Sequence, residues 1–461
     1  MIIRVDKCST FGIKKALTKS TQYLPKLLIN KQLIPKINIG EAFQYLGKYF
    51  SFNMPDEHHK SELISLVEEL MADIDSKPIH PKNKILLYTV DIFCQDYPGI
   101  LQFLAYRKRG SPKTLIPKST VNYIRKWLDI PISGTLSIVF LTRNKFGLSI
   151  CPPSVKFIQC QTVLRKALKT SPNEAINDLW KATSNSKYIQ YDVYNSTKRV
   201  LKDFCSGQEG KLHTQLTCQG SFFINITKFS LSQLTKIWSA CQSNLPKNIF
   251  NFTVRYINNS LPTRQKLARW GLSPTSDCSR CLAPETPLHV VAGCQSYLER
   301  FTWRHDSVLN FLAISLQTVS GSHLYVDLPG YKSPSIITGD NYRPDFLLST
   351  STGTLYIVEL TVGFESNLQK NVERKQSKYK ELIREQNEHF NSVKFVNLSI
   401  SSLGVFSKEC CTLIEMLNDF GFQKQHQNYC IRRMTTIAIR TTYYIFCCRN
   451  KEWMNPELLT V

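Results

Sequence analysis

The chain has 461 residues, enough for several domains with sizeable cores, and its 42% apolar and 20% charged residues exclude an extended disordered protein. Lys and Arg number 58 against 35 Asp and Glu, a formal net charge of +23, far above what solubility alone requires. That excess points to a polyanionic partner, because neutralised phosphates release counterions and the field steers association.

The opening residues, MIIRVDKCSTFGIKK, hold no apolar run of signal-peptide length. Runs such as TLSIVFL (135–141) fall short of a membrane span, so no membrane partner is expected. The 15 cysteines are then expected in a reducing compartment, where clustered ones are better explained by metal than by disulfides. Cys94, Cys160 and Cys241 are expected as small core hydrophobes, and the adjacent pairs Cys410–Cys411 and Cys447–Cys448 as packing residues.

In chain order, residues 1–55 read as short strands and turns, with Gly47 at a tight turn. Leu63, Ile64, Val67, Leu70 and Met71 recur at helical spacing over 57–75. Further helices are expected near 82–95 and 118–128, the latter carrying the basic, aromatic YIRKWL (123–128). Between them, 106–118 has five basic residues, Gly and two Pro, and reads as an exposed loop. Helical patterns alternate with polar breaks over 155–250, and 261–273 reads as a helix leading into a cysteine cluster. Beyond it come a helix near 303–315, a hairpin of 343–350 with 354–362, and a helix near 366–388. A strand at 394–401, a helix near 407–419 and a mixed segment through 435–448 complete an α/β domain from about 297.

The cluster is CSRCLAPETPLHVVAGC (278–294). Cys278, Cys281, His289 and Cys294 are spaced C-x₂-C-x₇-H-x₄-C, four N/S ligands as tetrahedral structural zinc requires, with no position left open for catalysis. A loop this short cannot build a core, and zinc supplies roughly 10–16 kcal/mol of folding free energy in such motifs. The alternative is four residues close together by chance. A knuckle of this kind suits single-stranded or distorted nucleic acid.

The hairpin carries a second constellation. With the turn centred on Thr352, Asp345 and Glu359 face each other across the two strands, about 5 Å apart at Cβ. Two carboxylates that close suit Mg²⁺ or Mn²⁺, which activates water and stabilises charge on a phosphodiester; alone, such a pair also fits an ordinary exposed hairpin. On the following helix, Leu368, Val372, Tyr379, Leu382 and Ile383 form an apolar stripe with Lys375 in its middle. A lysine there wants an anionic partner, either the hairpin acids or a substrate phosphate, unless its stem snorkels to the surface. Lys378 lies at the stripe's edge and Arg374 further round, solvated or against a DNA backbone.

These stretches together resemble the C-terminal part of the polyprotein of non-long-terminal-repeat retrotransposons that carry a restriction-like endonuclease. VDKCSTFGI (5–13) and YLGKYF (45–50) look like the last palm motifs of its reverse transcriptase, and 56–145 like its thumb, with 95–117 matching poorly. The cluster resembles its zinc motif, followed by RHD (304–306). RPD (343–345), ELT (359–361) and the helix around 374–379 resemble a nuclease of the PD-(D/E)xK type. That type usually has a lysine two residues after the second acid, where this chain has Thr361; Lys375 then stands in from the next helix. The chain has no Asp-Asp dipeptide, so the paired palm aspartates of a polymerase are missing and polymerisation is not expected from what looks like a fragment.

The resemblance implies a multidomain, mainly α architecture with a C-terminal α/β nuclease domain. Its parts are a palm remnant (1–55), a thumb-like region (56–145), a helical linker (146–276), a zinc knuckle (277–296) and the endonuclease (297–461). Asp345 and Glu359 would hold Mg²⁺ or Mn²⁺, Lys375 would meet the phosphate, and Tyr379 would orient it from the same helix face. Asp306 is expected at a helix start, either as a third carboxylate or as an ordinary first-turn acid. Arg304, His305, Lys7 and Lys48 are phosphate contacts or scaffold, and Lys378, Arg125 and Lys126 are further nucleic-acid contacts. The implied activity is nicking of target DNA whose 3′ end primes reverse transcription of the element RNA, in the nucleus. A catalytically inactive nucleic-acid-binding remnant, or an inert product with unpaired palm strands, is the alternative.

Overall fold

The computed structural model describes residues 8–15, 20–41, 43–45, 48–50, 57–93, 118–183 and 189–459. It is mainly helical, with a small mixed sheet near the C-terminus. Lys7, Gly47, Cys94, the 95–117 stretch and the side chain of Lys48 lie outside the described residues, as does all but Lys118 of the loop expected at 106–118. The chain packs as two compact units, one from residues 1–77, 87–121 and 152–200, the other from 78–86, 122–151 and 201–461.

In the first unit, three short antiparallel pairs join β1 (Gly12–Lys15) to β2 (Ser20–Tyr23), β3 (Leu28–Ile29) to β4 (Gln32–Leu33), and β5 (Phe43–Tyr45) to β6 (Lys48–Phe50). The helix Glu57–Ser76 follows and buries Val67, Met71 and Ile74, the 3.6-residue stripe that its apolar spacing predicts. Helix Pro153–Thr170 starts on a proline, whose missing N–H costs nothing in a first turn. Arg165 on it is buried and pairs with Asp192 at 2.7 Å.

The second unit is built on a four-stranded sheet in the order β10-β9-β8-β7, from β7 (Ser322–Val326), β8 (Phe346–Thr350), β9 (Thr354–Gly363) and β10 (Ser392–Ser401). β7, β8 and β9 pair antiparallel, while β10 runs parallel to β9 after the crossover helix Leu368–Gln386, since parallel neighbours need a long connection. Side chains alternate between faces. Phe346, Leu348, Tyr356, Val358 and Leu360 enter the larger core with helices Leu298–Leu316, Cys411–Asp419 and Lys424–Cys447, whereas Leu347, Leu355 and Ile357 meet Tyr379 and Leu382 of the crossover helix. Leu234, which precedes the cysteine cluster in sequence, belongs to the larger core too. The Trp238 indole donates to the Leu403 carbonyl at 2.7 Å.

Three expectations are corrected. The segment through 435–448 is not mixed; it belongs to one helix, Lys424–Cys447. Its Thr, Ile and Tyr residues favour strands, but Cys430, Ile431, Met434, Ile437, Ala438 and Ile445 are buried at helical spacing, and burial of that stripe outweighs local propensity. The helix expected near 303 starts at Leu298, so Asp306 sits in mid-helix and is no first-turn acid. Of the packing cysteines, Cys241 and Cys410 are buried, but Cys160 is half-buried and Cys447, the last residue of its helix, is exposed.

Candidate functional sites: a thiolate cluster and a carboxylate pair

Both sites belong to the second unit. The expected lead-in helix is short, Arg264–Arg269, and a tight turn follows in which the Cys278 N–H donates to the Ala283 carbonyl at 2.7 Å and the Leu282 N–H to the Cys278 carbonyl at 3.2 Å. Leu282 closes that turn in the left-handed region, φ 59°. The turn brings Cys278 and Cys281 together, and a widened helical turn over His289–Gly293 delivers the other two ligands. The four ligand atoms lie within 4.8 Å of one another, so the group can hold a metal ion such as zinc.

The donor set fits zinc. Zn–S bonds of 2.3 Å set tetrahedral S···S edges of about 3.8 Å, and the Cys281 and Cys294 sulfurs are 3.7 Å apart, with His289 Nε2 at 3.2 Å from Cys281. Burial and the adjacent Cys281 push the Cys294 thiol up to about 12. Burial also works against a Cys278 thiolate, yet the Arg280 N–H and the Tyr297 hydroxyl hold its pKa below the ordinary value. Thiols this close resist joint ionisation unless a cation compensates them. Burial lowers the His289 pKa, favouring the neutral imidazole that binds metal. Buried Glu285 anchors the loop, accepting from the Arg264 N–H at 2.8 Å and Arg449 Nε at 3.3 Å. Arg300 donates to the Cys448 and Lys451 carbonyls at 2.7 and 2.8 Å, and Arg280 to the latter at 3.0 Å. Cations thus cap the last helix, where its dipole favours them.

The carboxylate site follows from sheet parity. The β8–β9 register pairs Phe346 with Val358 and Leu347 with Ile357, and one step further sets Asp345 opposite Glu359, as the hairpin arithmetic predicts. Both share parity with Leu347, Leu355 and Ile357, so they lie on the face covered by the Leu368–Gln386 helix. Lys375 descends from that helix and pairs with Glu359 Oε1; the lysine in the apolar stripe takes the hairpin acid as its partner. The Asp345 N–H donates to Glu359 Oε2 at 3.3 Å, and the Leu360 N–H to Asp345 Oδ2 at 2.8 Å.

His305 completes the group, with Nε2 3.4 Å from Asp345 Oδ2 and Nδ1 2.9 Å from Asp306 Oδ1. Burial opposes its charge, but the flanking Asp306 and Asp345 prevail and push its pKa up to about 10. Burial likewise opposes ionisation of Asp345, yet His305, Lys375 and the Leu360 N–H hold it below the usual carboxylate range. Burial and the Asp345 charge raise Glu359 despite Lys375. One carboxylate is thus favoured as the anion beside another that is disfavoured, with Lys375 and His305 as their cationic partners.

Tyr379 is fully buried, and its hydroxyl donates to the Tyr342 carbonyl at 3.1 Å while accepting from Lys378 Nζ at 2.8 Å. Arg374 is exposed, and Lys378, although largely exposed, lays its ammonium against the Tyr379 ring and hydroxyl at the edge of the apolar stripe. Of the two roles open to Arg304, phosphate contact or scaffold, its environment favours the scaffold: it is fully buried and donates to Thr442 Oγ1 at 3.1 Å and the Val362 carbonyl at 3.2 Å. Arg125 is also engaged internally, donating to the Pro131 and Gly134 carbonyls at 2.6 and 2.7 Å, while Lys126 beside it is exposed. Sequence reasoning left the bridging of His305 unread and missed Asn397 altogether. Asn397 pairs with Glu359 across the sheet and donates to the Val372 carbonyl at 3.0 Å, pinning the lysine helix one turn before Lys375. A lone amide inside the apolar run of β10 was the available signal.

No family model matches the chain. It is 21% identical over 341 residues to the Retrovirus-related Pol polyprotein from type-2 retrotransposable element R2DM of Drosophila melanogaster, a match covering 68% of this chain and 29% of that protein. The chain therefore spans less than a third of the length of that relative. This likeness supports a non-long-terminal-repeat retrotransposon origin for the chain.

Proposed function

We propose that this chain is the DNA-nicking, metal-dependent endonuclease portion of a retrotransposon polyprotein. The observation that carries the reading is the meeting of Asp345, Glu359 and Lys375 under one helix, an acid–acid–lysine set on a hairpin and its crossover. In this reading Asp345 and Glu359 hold Mg²⁺ or Mn²⁺, which supplies Lewis-acid stabilisation and an activated water. Lys375 exchanges its Glu359 contact for the scissile phosphate and offsets the charge that develops there. His305 fixes the Asp345 carboxylate from behind, and Tyr379 keeps the 342–343 backbone in place. The Cys278, Cys281, His289 and Cys294 cluster holds a structural zinc that orders its loop on the end of the last helix. Residues 277–296 then form the knuckle and 297–461 the endonuclease, after palm, thumb-like and linker segments at 1–55, 56–145 and 146–276. The partners are target DNA and element RNA in the nucleus, and the nick supplies the 3′ end that primes reverse transcription. Polymerisation is not assigned to this chain.

The test is relaxation of supercoiled plasmid by the purified chain with Mg²⁺ or Mn²⁺, beside Asp345→Asn and Lys375→Ala. Metal-dependent nicking lost in both variants, with DNA retained in a salt-sensitive gel shift, supports the nuclease. Binding without nicking by the unsubstituted chain overturns it in favour of a catalytically inactive binding remnant.

A further inference from the structure

On the sheet face that holds Asp345 and Glu359, side-chain character changes along the strands. β9 places Leu355 and Ile357 there, then Glu359 and Thr361, because every second residue shares a face. Beside them β10 sets Asn397 against Glu359, Ser399 against Thr361 and Ser401 against Gly363. The carboxyl-terminal half of this face is therefore polar, although Glu359, Asn397, Ser399 and Ser401 are each at most 2% exposed. Those four have partners. Lys375 pairs with Glu359, Asn397 donates to the Val372 carbonyl at 3.0 Å, the Ser399 hydroxyl donates to Asn397 Oδ1 at 2.7 Å, and Ser401 Oγ accepts from the Val405 N–H at 3.1 Å. Thr361 is the exception. The residue is half-buried, yet its Oγ1 is covered from solvent and has no hydrogen-bond partner among the described residues. A covered hydroxyl left unpaired costs free energy, and strand propensity alone would be served by valine, as at Val358 and Val362 of the same strand.

We propose that Thr361 is a positioning residue of the carboxylate site, its hydroxyl accepting a hydrogen bond from a water carried by the divalent cation that Asp345 and Glu359 bind. The presence of that cation rests on the nuclease reading. Thr361 lies two residues beyond Glu359 on the same face, about 6.6 Å along the strand at about 3.3 Å per residue. Carboxylate to ion and ion to water are each about 2.1 Å for Mg²⁺, and a hydrogen bond between oxygens adds about 2.8 Å. Together these reach up to about 7 Å, so a single water on the ion spans the gap to the hydroxyl. The neighbouring side chains are already committed to one another, which leaves the Thr361 oxygen for such a water. Its place at the carboxyl ends of two adjacent parallel strands is also where α/β sheets bind their ligands. Held there, the water is oriented by the sheet while Lys375 serves the phosphate from the helix.

The test titrates Mn²⁺ into the full chain and follows the loss of the free-ion paramagnetic resonance signal, with Asp345→Asn marking the binding that belongs to the carboxylate site. Thr361→Val keeps the shape and removes the hydroxyl, and is expected to bind Mn²⁺ roughly 10-fold more weakly. Thr361→Ser, which keeps the hydroxyl, should stay within about 2-fold of the unsubstituted chain. Without added divalent cation the Tm of Thr361→Val should be unchanged or higher, since an unpaired covered hydroxyl has gone. Equal Mn²⁺ affinity in Thr361→Val, equal losses in the Val and Ser variants, or a lower Tm of Thr361→Val without the ion each overturns the assignment. Plasmid nicking is scored separately. Hydroxyl-dependent Mn²⁺ binding without nicking sinks the nuclease and keeps Thr361 at a metal site, whereas nicking with Mn²⁺ binding indifferent to Thr361 does the reverse. Mn²⁺ binding untouched by Asp345→Asn overturns both.

Discussion

The thiolate cluster and the carboxylate site are built in opposite ways. The cluster draws its four ligands from 17 consecutive residues, 278–294, and its geometry follows from one turn and one helical widening. The carboxylate site draws Asp345 and Glu359 from a hairpin, Lys375 from the crossover helix and His305 from a helix packed on the opposite sheet face. A local site depends on its ion for order; a site spread over a sheet and two helices is held by the core around it. The two should therefore fail differently, and the following experiments test that contrast.

The largest effect is expected at the cluster. Removing the ion with a strong chelator, or Cys281→Ser, should release the 278–294 loop, since metal binding supplies on the order of 10 kcal/mol to such loops. Hydrogen exchange should show protection lost at Val290 and Val291 and retained in β9. Loss in both regions would mean that the cluster holds up the sheet.

At the carboxylate site the contrast reverses. Lys375→Ala is expected to lower the nicking rate on the order of 10²- to 10³-fold and, by leaving the buried Glu359 carboxylate without its cation, to lower Tm as well. A fall in Tm with nicking unchanged would make the lysine a structural counter-ion alone.

Glu365 offers a pH test of the same core. It is buried at the entry to the lysine helix and accepts from the Tyr256 hydroxyl at 2.9 Å, and burial pushes its pKa up to about 7 from 4.5. The folded state then holds more protons than the unfolded one between those values, so stability falls as pH rises through that window and the penalty is complete above it. Glu365→Gln removes the titration while keeping an acceptor for Tyr256. Its gain over the unsubstituted chain should grow from pH 4.5 to 7 and reach about 3 kcal/mol in denaturant unfolding. A gain independent of pH would show that Glu365 does not titrate there.

The smallest effect is expected on the outer face of the lysine helix. Arg374→Ala, at an exposed position, should leave Tm unchanged and reduce the salt slope of DNA binding by about one unit. Arg304→Ala, which empties a fully buried position and removes its hydrogen bonds to Thr442 and Val362, should cost about 2–4 kcal/mol of stability and leave that slope alone. The reverse pattern would undo the assignment of Arg304 to the scaffold.

Much of the candidate site was legible because two periodicities carry it. The hairpin's centre at Thr352 set Asp345 against Glu359, and the 3.6-residue stripe set Lys375 among Leu368, Val372 and Tyr379; both follow from neighbours in sequence. The helix through 435–448 was misread even though its buried stripe is regular, because β-branched residues at 435–437 and 441–442 argue locally for a strand.

The amino-acid sequence by itself determined the ligand spacing of the cluster, the hairpin register and the charge that calls for a polyanion, since each depends on residue type and separation along the chain. Only the tertiary structure decided that Arg304 is buried, that His305 joins Asp306 to Asp345, and that Asn397 pins the lysine helix. Those contacts join residues from 1 to more than 100 positions apart through a sheet whose strand order no local pattern encodes. Which neighbour a buried polar group finds is settled by the packing of faces, not by the residues on either side of it.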